Sequence, residues 1–208
     1  MIATFIPLVV FCAVTLFTPG PNNVMLMTSG LNFGLRRSLS HAFGVALGFP
    51  FLVLCVGLGL GVVFTQYPLL YVLVKYAGAA YLLYLAWCIA ISPPPDTKAD
   101  ALADTQHKPM GFMAAVAFQW INPKAIVMAV GGVSTYATLL PYPYNALLIA
   151  MVFGIIGILS SLTWAGLGTA LQRLLHRPRL IRSFNVAMGF LLALSLYPVA
   201  KDLLTTLH

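Results

Sequence analysis

Thr18-Pro19-Gly20-Pro21-Asn22-Asn23 lies inside an uncharged run that extends from Met1 to Arg36. That run is longer than the roughly 20 apolar residues a membrane-spanning helix needs. Pro19 and Pro21 each remove a backbone donor and clash with the preceding turn, and Gly20 admits a left-handed residue, so a continuous helix is not expected here. In hydrocarbon the carbonyls freed before the two prolines must meet protein, water or a bound solute. Asn22 and Asn23 add amide donors and acceptors at the same level. Pro21 also suits the first turn of a new half-helix, whose open N–H groups and positive dipole end favour an anion such as a carboxylate. A packed kink without a ligand is the plainer alternative.

The second half of the chain has a matching place, Gln119-Trp120-Ile121-Asn122-Pro123-Lys124, near the middle of an expected span over 111–135. Here the break carries a charge, and a lysine at such depth costs a few kcal/mol unless it is paired or solvated. The carboxylates lie elsewhere: Asp96, Asp100 and Asp104 in a central loop, and Asp202 near the carboxyl end. Lys124 is left with backbone carbonyls of the broken segments, asparagine side chains, water, or the carboxylate of a ligand. A ligand or a water-lined cavity is the preferred reading, and snorkelling toward an interface is the alternative.

The composition places these breaks in a membrane. Of 208 residues 61% are hydrophobic and 7% charged, and the mean hydropathy is +0.95, outside the range of soluble domains. The net charge of +7 does not indicate nucleic acid, because eight of the eleven basic residues gather at Arg36/Arg37, Lys98/Lys108 and Arg173/Arg177/Arg179/Arg182, beside apolar runs. Cys12, Cys55 and Cys88 sit within apolar runs and read as small hydrophobes. The amino terminus has no basic region of the signal-peptide type, so the first helix is expected to be retained.

Reading apolar runs against polar punctuation gives spans near 3–33, 40–64, 68–91, 111–135, 145–170 and 184–204,. The expected fold is an all-α polytopic membrane protein with six transmembrane helices, helices one and four being broken. The loop 92–110 reads as a cytoplasmic hinge between a three-helix repeat over 1–91 and a second over 111–208, and 171–183 reads as a basic loop. All three basic clusters follow odd-numbered spans, which puts both termini outside, in the periplasm. Phe43-Gly44 with Gly57-Leu58-Gly59 is echoed by Phe153-Gly154 with Gly166-Leu167-Gly168, and Tyr81-Leu82-Leu83-Tyr84-Leu85 by Phe190-Leu191-Leu192-Ala193-Leu194. An echo over halves of three spans each implies inverted topology. Gly44, Gly48 and the glycines 57, 59 and 61 read as packing contacts within one bundle. Paired interruptions in the first helix of each half are the sequence mark of a transporter's midplane site.

At these residues the chain resembles the LysE/RhtB family of amino-acid exporters, which carries a Thr/Ser-Pro-Gly-Pro-Asn motif in helix one and Asn-Pro-Lys in helix four. Asn32-Phe33-Gly34-Leu35-Arg36 and Tyr76-Ala77-Gly78-Ala79-Ala80-Tyr81-Leu82 agree with it, and the similarity runs nearly the whole length. The doubled Asn22-Asn23, Trp87 with Ser92-Pro93, and Gln172-Arg173-Leu174 resemble the cysteine and O-acetylserine exporter branch. The resemblance implies secondary export of small amino acids or close metabolites across the bacterial inner membrane, with no enzymatic step.

The expected mechanism is alternating access around a substrate site built from Pro19, Gly20, Pro21, Asn22, Asn23, Gln119, Asn122, Pro123 and Lys124. The half-helix start at Pro21 and the Lys124 ammonium would hold the substrate carboxylate; Asn22, Asn23, Asn122 and Gln119 would recognise its amino group. The expected partners are a small amino acid and the lipid bilayer, with no nucleic acid, no cofactor and no metal; a homo-oligomer stays open. His41 is expected to be a solvated interface residue. A membrane thiol-redox enzyme would need a cysteine in each half, and the second half has none. An ion or metal efflux protein would need acidic rings or His-rich loops, which are also missing. An intramembrane hydrolase would need a partner for Ser160 or Ser161.

Overall fold

The computed structural model describes residues 2–92, 108–174, 178–197 and 199–201, and every regular element among them is helical. Helix α1 (Ile2–Phe17) stops at the first break, and α2 (Pro21–Cys55) starts on the proline that can occupy a first helical turn without losing a hydrogen bond,. Gly34, at φ 74 and ψ 165, divides α2 into arms over 21–33 and 35–55. Only glycine holds that conformation cheaply. The expected gap between spans one and two is thereby compressed to a single residue. A π-helical turn (Val56–Leu60), containing Gly59 at φ 134, leads into the short α3 (Gly61–Gln66).

Helix α4 (Pro68–Ile91) matches the expected third span. Helices α5 (Phe112–Phe118) and α6 (Pro123–Tyr136) meet at the second break with a bend of 64°. Helix α7 (Tyr144–Leu174) is long and continuous, and α8 (Pro178–Leu194) follows closely. The basic segment 171–183 is therefore mostly helix, not the long polar loop expected, because Pro178 can start a helix as readily as it ends one. Most of the expected hinge, with Asp96, Asp100 and Asp104, lies outside the described residues, as does Asp202.

Three stretches, Pro21–Val63, Val72–Ile91 and Tyr144–Gln172, are each long and apolar enough to cross a membrane, and α5 with α6 makes a fourth as a bent pair. The outer faces agree with a lipid surround: Met113 is 72% exposed and Leu69 70%, within an extensive set of exposed large apolar side chains that water would not tolerate,.

Helices α2 and α7 form the centre of the bundle. They approach so closely that a Cβ on Gly30 would strike the Ala165 carbonyl and one on Gly168 the Met27 carbonyl, the close backbone contact that small residues permit between membrane helices. Gly44 and Gly48 press in the same way on α5, as packing contacts within the chain. One buried cluster gathers Leu8, Phe49, Ile149 and Phe153, with Phe49 and Phe153 edge to face at 5.1 Å. A second gathers Met25, Leu82, Phe118 and Leu192. The two breaks lie beside these clusters, so each has a packed wall behind it.

Candidate functional site

The first break is held open by side chains. Gly20 precedes α2 with an extended backbone, φ −174 and ψ −178, so the left-handed conformation expected there is not used. Glycine leaves room for the lysine as it is placed: a Cβ on Gly20 would sit 2.7 Å from both Cδ and Nζ of Lys124. Asn23 Nδ2 donates to the carbonyls of Leu16 and Thr18, each at 2.9 Å, and Ser160 Oγ on α7 donates to the Leu16 carbonyl at 2.8 Å. These bonds meet the acceptors left without helical donors, groups that would cost several kcal/mol each if bare in hydrocarbon.

The second break closes on itself. Asn122, with extended dihedrals, caps α6 by accepting from the Lys124 backbone N–H at 3.1 Å, a side-chain cap of the kind that stabilises a helix start. Its own N–H donates to the Phe118 carbonyl at 3.0 Å. Gly78 on α4 lies directly against the Ile121 carbonyl, where any Cβ would collide. This contact was not apparent from the sequence, since Gly78 belongs to a different span and its partner is a backbone atom.

Lys124 joins the two breaks. Its Nζ donates to the Thr18 carbonyl at 2.8 Å and to the Pro19 carbonyl at 3.4 Å. The ammonium of this half-buried residue is therefore tied to the backbone of the first break. Of the acceptors open to it in the sequence, backbone carbonyls of the opposite break are the ones used. Two of its three protons are committed, leaving one for a further acceptor.

Asn22 and Gln119 form a reciprocal amide pair, with Asn22 Nδ2 donating to Gln119 Oε1 at 2.8 Å and Gln119 Nε2 to Asn22 Oδ1 at 3.2 Å. Gln119 Nε2 also reaches the Ala115 carbonyl at 2.9 Å. Gln119 is fully buried, so it stands behind Asn22 as a tie between the halves. All nine expected residues thus gather at one level: Pro19, Gly20, Pro21, Asn22 and Asn23 from one side, Gln119, Asn122, Pro123 and Lys124 from the other.

Two cavities meet at Lys124. A small one of about 30 Å³, bordered by Thr15, Asn22, Asn23, Phe49 and Asn122, has room for water but not for an amino acid,. The other, of about 690 Å³, is bordered by Pro19, Gly20, Pro21 and Pro123 together with Lys75, Leu82 and Ser195, and falls in the size range of small-molecule sites.

His41 corrects an expectation. It is 1% exposed and shares a 2.8 Å hydrogen bond between Nδ1 and Ser29 Oγ; it is not solvated, because the sharp turn at Gly34 folds the two arms of α2 against each other. Cys12, Cys55 and Cys88 are free, and no group of metal-ligating side chains occurs among the described residues.

Comparison with known proteins bears on this arrangement. The LysE type translocator family matches residues 13–206. The chain is 33% identical over 184 residues to the cysteine/O-acetylserine efflux protein of Escherichia coli strain K12, covering 88% of this chain and 90% of the relative. The same values hold for the protein of that name from Shigella flexneri serotype 5b. No solved structure matches. With the family match spanning both proline breaks and the lysine between them, the chain belongs to the LysE-type translocators, a family of transport proteins and not of enzymes.

Proposed function

We propose that the protein exports small amino acids or their close metabolites across the bacterial inner membrane by alternating access. Cysteine and O-acetylserine are the leading candidates, since the relatives are named for their efflux. The observation that carries the reading is the Lys124 ammonium, bridging two breaks from opposite halves at the edge of a cavity with ample room for an amino acid. The third ammonium proton and the half-helix start at Pro21 together favour the substrate carboxylate.

In this reading six spans form two inverted three-helix halves, 1–91 and 111–208, joined by a cytoplasmic hinge over 92–110, with both termini periplasmic. The arms of α2 supply the end of span one and the start of span two. Support comes from the matched starts of α2 and α6, each a proline at the first helical position after an extended residue. The large cavity then faces the periplasm, because Lys75, on its border, lies near the outer end of its span. Asn22, Asn23 and Asn122 line the small cavity and offer the neutral amides that meet the substrate's amino group, while Gln119 orients Asn22. Rocking of the halves would exchange the Lys124–carbonyl bonds for bonds to substrate.

The test is efflux from loaded proteoliposomes with a panel containing cysteine, O-acetylserine, serine and larger amino acids. Wild type should export the small polar members; Lys124→Ala and Asn22→Ala should export them poorly at equal protein content. Export by both variants at the wild-type rate would refute the site.

A further inference from the structure

A third cavity, of about 230 Å³, lies at the far end of the same helices, bordered by Thr28, Ser29, Asn32, His41, Cys88 and Lys108. It is unlike an ordinary packing defect, which is apolar. Thr28 is 6% exposed and His41 1%, yet Thr28 Oγ1 and His41 Nε2 have no hydrogen-bond partner among the described residues. A buried polar atom without a partner costs about 1–3 kcal/mol, and both of these atoms belong to residues that border the cavity, where a small shift of either side chain would let an entering polar group supply the missing partner. Ser29 engages His41 Nδ1, so Nε2 is the ring atom left to bind.

The position continues the path of the broken-helix site. Pro21, Met25, Thr28 and Asn32 recur at helical spacing on one face of the first arm of α2; Pro21 borders the large cavity and the other three border this one. Leu82, Leu85 and Ile89 share one face of α4 at i, i+3 and i+7, with Leu82 on the large cavity and the other two here, beside Cys88 and, just past the helix end, Ser92. Between them sits the buried apolar cluster of Met25, Leu82 and Phe118, a plug with one member on each wall. At the far end Asn32 and Asn185 pair through both amides at 3.2 Å, and Asn185 Nδ2 also reaches the Ser92 carbonyl at 3.3 Å.

We propose that this cavity is a loading site, in which a small amino acid with a polar side chain is held before it passes the Met25–Leu82–Phe118 plug to the broken helices. The inference rests on the exporter reading above and adds a second binding station to it. Lys108 at the exposed rim attracts the carboxylate, and the Thr28 hydroxyl and His41 Nε2 bind the polar groups inside. Among the described residues no acidic side chain borders the cavity; Lys108 is the charge and the buried polar atoms are the hydrogen-bonding groups, and Met25, Leu85 and Met110 limit the space and select for small size.

Cys88, on the cavity wall, reports occupancy. Purified full-length protein is treated with N-ethylmaleimide, and modification at Cys88 is followed by peptide mass while O-acetylserine or serine, neither of them a thiol, is titrated in. Saturable protection of Cys88 is expected in wild type and in Lys124→Met, since the loading site does not use Lys124. Thr28→Val should raise the half-protecting concentration by about ten-fold, the value of one lost hydrogen bond. It should leave thermal stability equal or higher, because the hydroxyl it removes has no hydrogen-bond partner among the described residues. The proposal is overturned if O-acetylserine fails to protect Cys88 in a preparation that exports it, if Thr28→Val leaves the titration unchanged, or if protection disappears in Lys124→Met. Absence of export of every panel member by wild type would instead defeat the exporter reading, and the loading site with it.

Discussion

The two breaks share a sequence logic and differ in how their backbone is satisfied. At the second, Asn122 caps the new helix, its N–H returns to Phe118, and Gly78 clamps the Ile121 carbonyl. That break is closed by its own residues and one rigid neighbour. At the first, Leu16, Thr18 and Pro19 present carbonyls that Asn23, Ser160 and Lys124 satisfy from three different places. One break is built as a fixed mount and the other as an acceptor surface, whose filling depends on a flexible cation carried by the mount. The proposed exporter needs such an asymmetry, because a site that releases its substrate should exchange few bonds, and the bonds that link the two breaks through Lys124 converge on one ammonium.

The largest expected effect comes from removing that ammonium. Lys124→Met should lower export by about 100-fold, the scale of losing charged hydrogen bonds, while Lys124→Arg keeps the charge but places a wider planar group against Gly20 and should recover only part of the rate. Efflux from proteoliposomes at matched protein density checks both. An active Lys124→Met would mean that the acceptor surface does not depend on the cation.

Next come two glycines, one at each break. Gly78→Ala drives a methyl into a backbone carbonyl that cannot move away, so it should cost about 1–3 kcal/mol of stability and lower the thermal midpoint in detergent. Gly20→Ala meets only the end of the Lys124 side chain, which can swing aside; its midpoint should stay near wild type while export falls about ten-fold through displacement of the ammonium. Equal losses of stability at the two positions would erase the distinction between mount and acceptor surface.

The sequence made both breaks legible because proline and glycine act locally: the missing donors at Pro19, Pro21 and Pro123 are facts of covalent structure. It also showed that Lys124 lacked an acidic partner in the apolar runs. It did not show what satisfies the first break, because the partners are contributed by residues whose role is set by packing. In the sequence Ser160 stands out only as a hydroxyl without a catalytic partner, and Gly78 only as part of a family motif. His41 read as solvated because it follows two arginines closely; the Gly34 turn buries it, and a turn's sharpness depends on a dihedral that glycine permits but does not announce. The basic segment 171–183 misled in the opposite way, since charge density marks a membrane boundary and not the end of a helix.

Asn23 and Ser160 refine the comparison within the first break. Asn23→Ala leaves the Thr18 carbonyl to Lys124 alone and the Leu16 carbonyl to Ser160 alone, and should cost about 1–2 kcal/mol.

The smallest effect is expected at Ser160→Ala, which takes one donor from a carbonyl that Asn23 continues to serve. A carbonyl with one remaining partner is not orphaned, so the loss should be about 0.5 kcal/mol, the low end for a hydrogen bond. The double variant Asn23→Ala/Ser160→Ala strips the Leu16 carbonyl of both partners, and its cost should exceed the sum of the single changes by about 1 kcal/mol, as residues sharing one acceptor do not act additively. Thermal unfolding of the four proteins in one detergent measures that excess. Simple additivity would show that water or lipid headgroups reach the first break freely, in which case its carbonyls are solvated and not held by the protein.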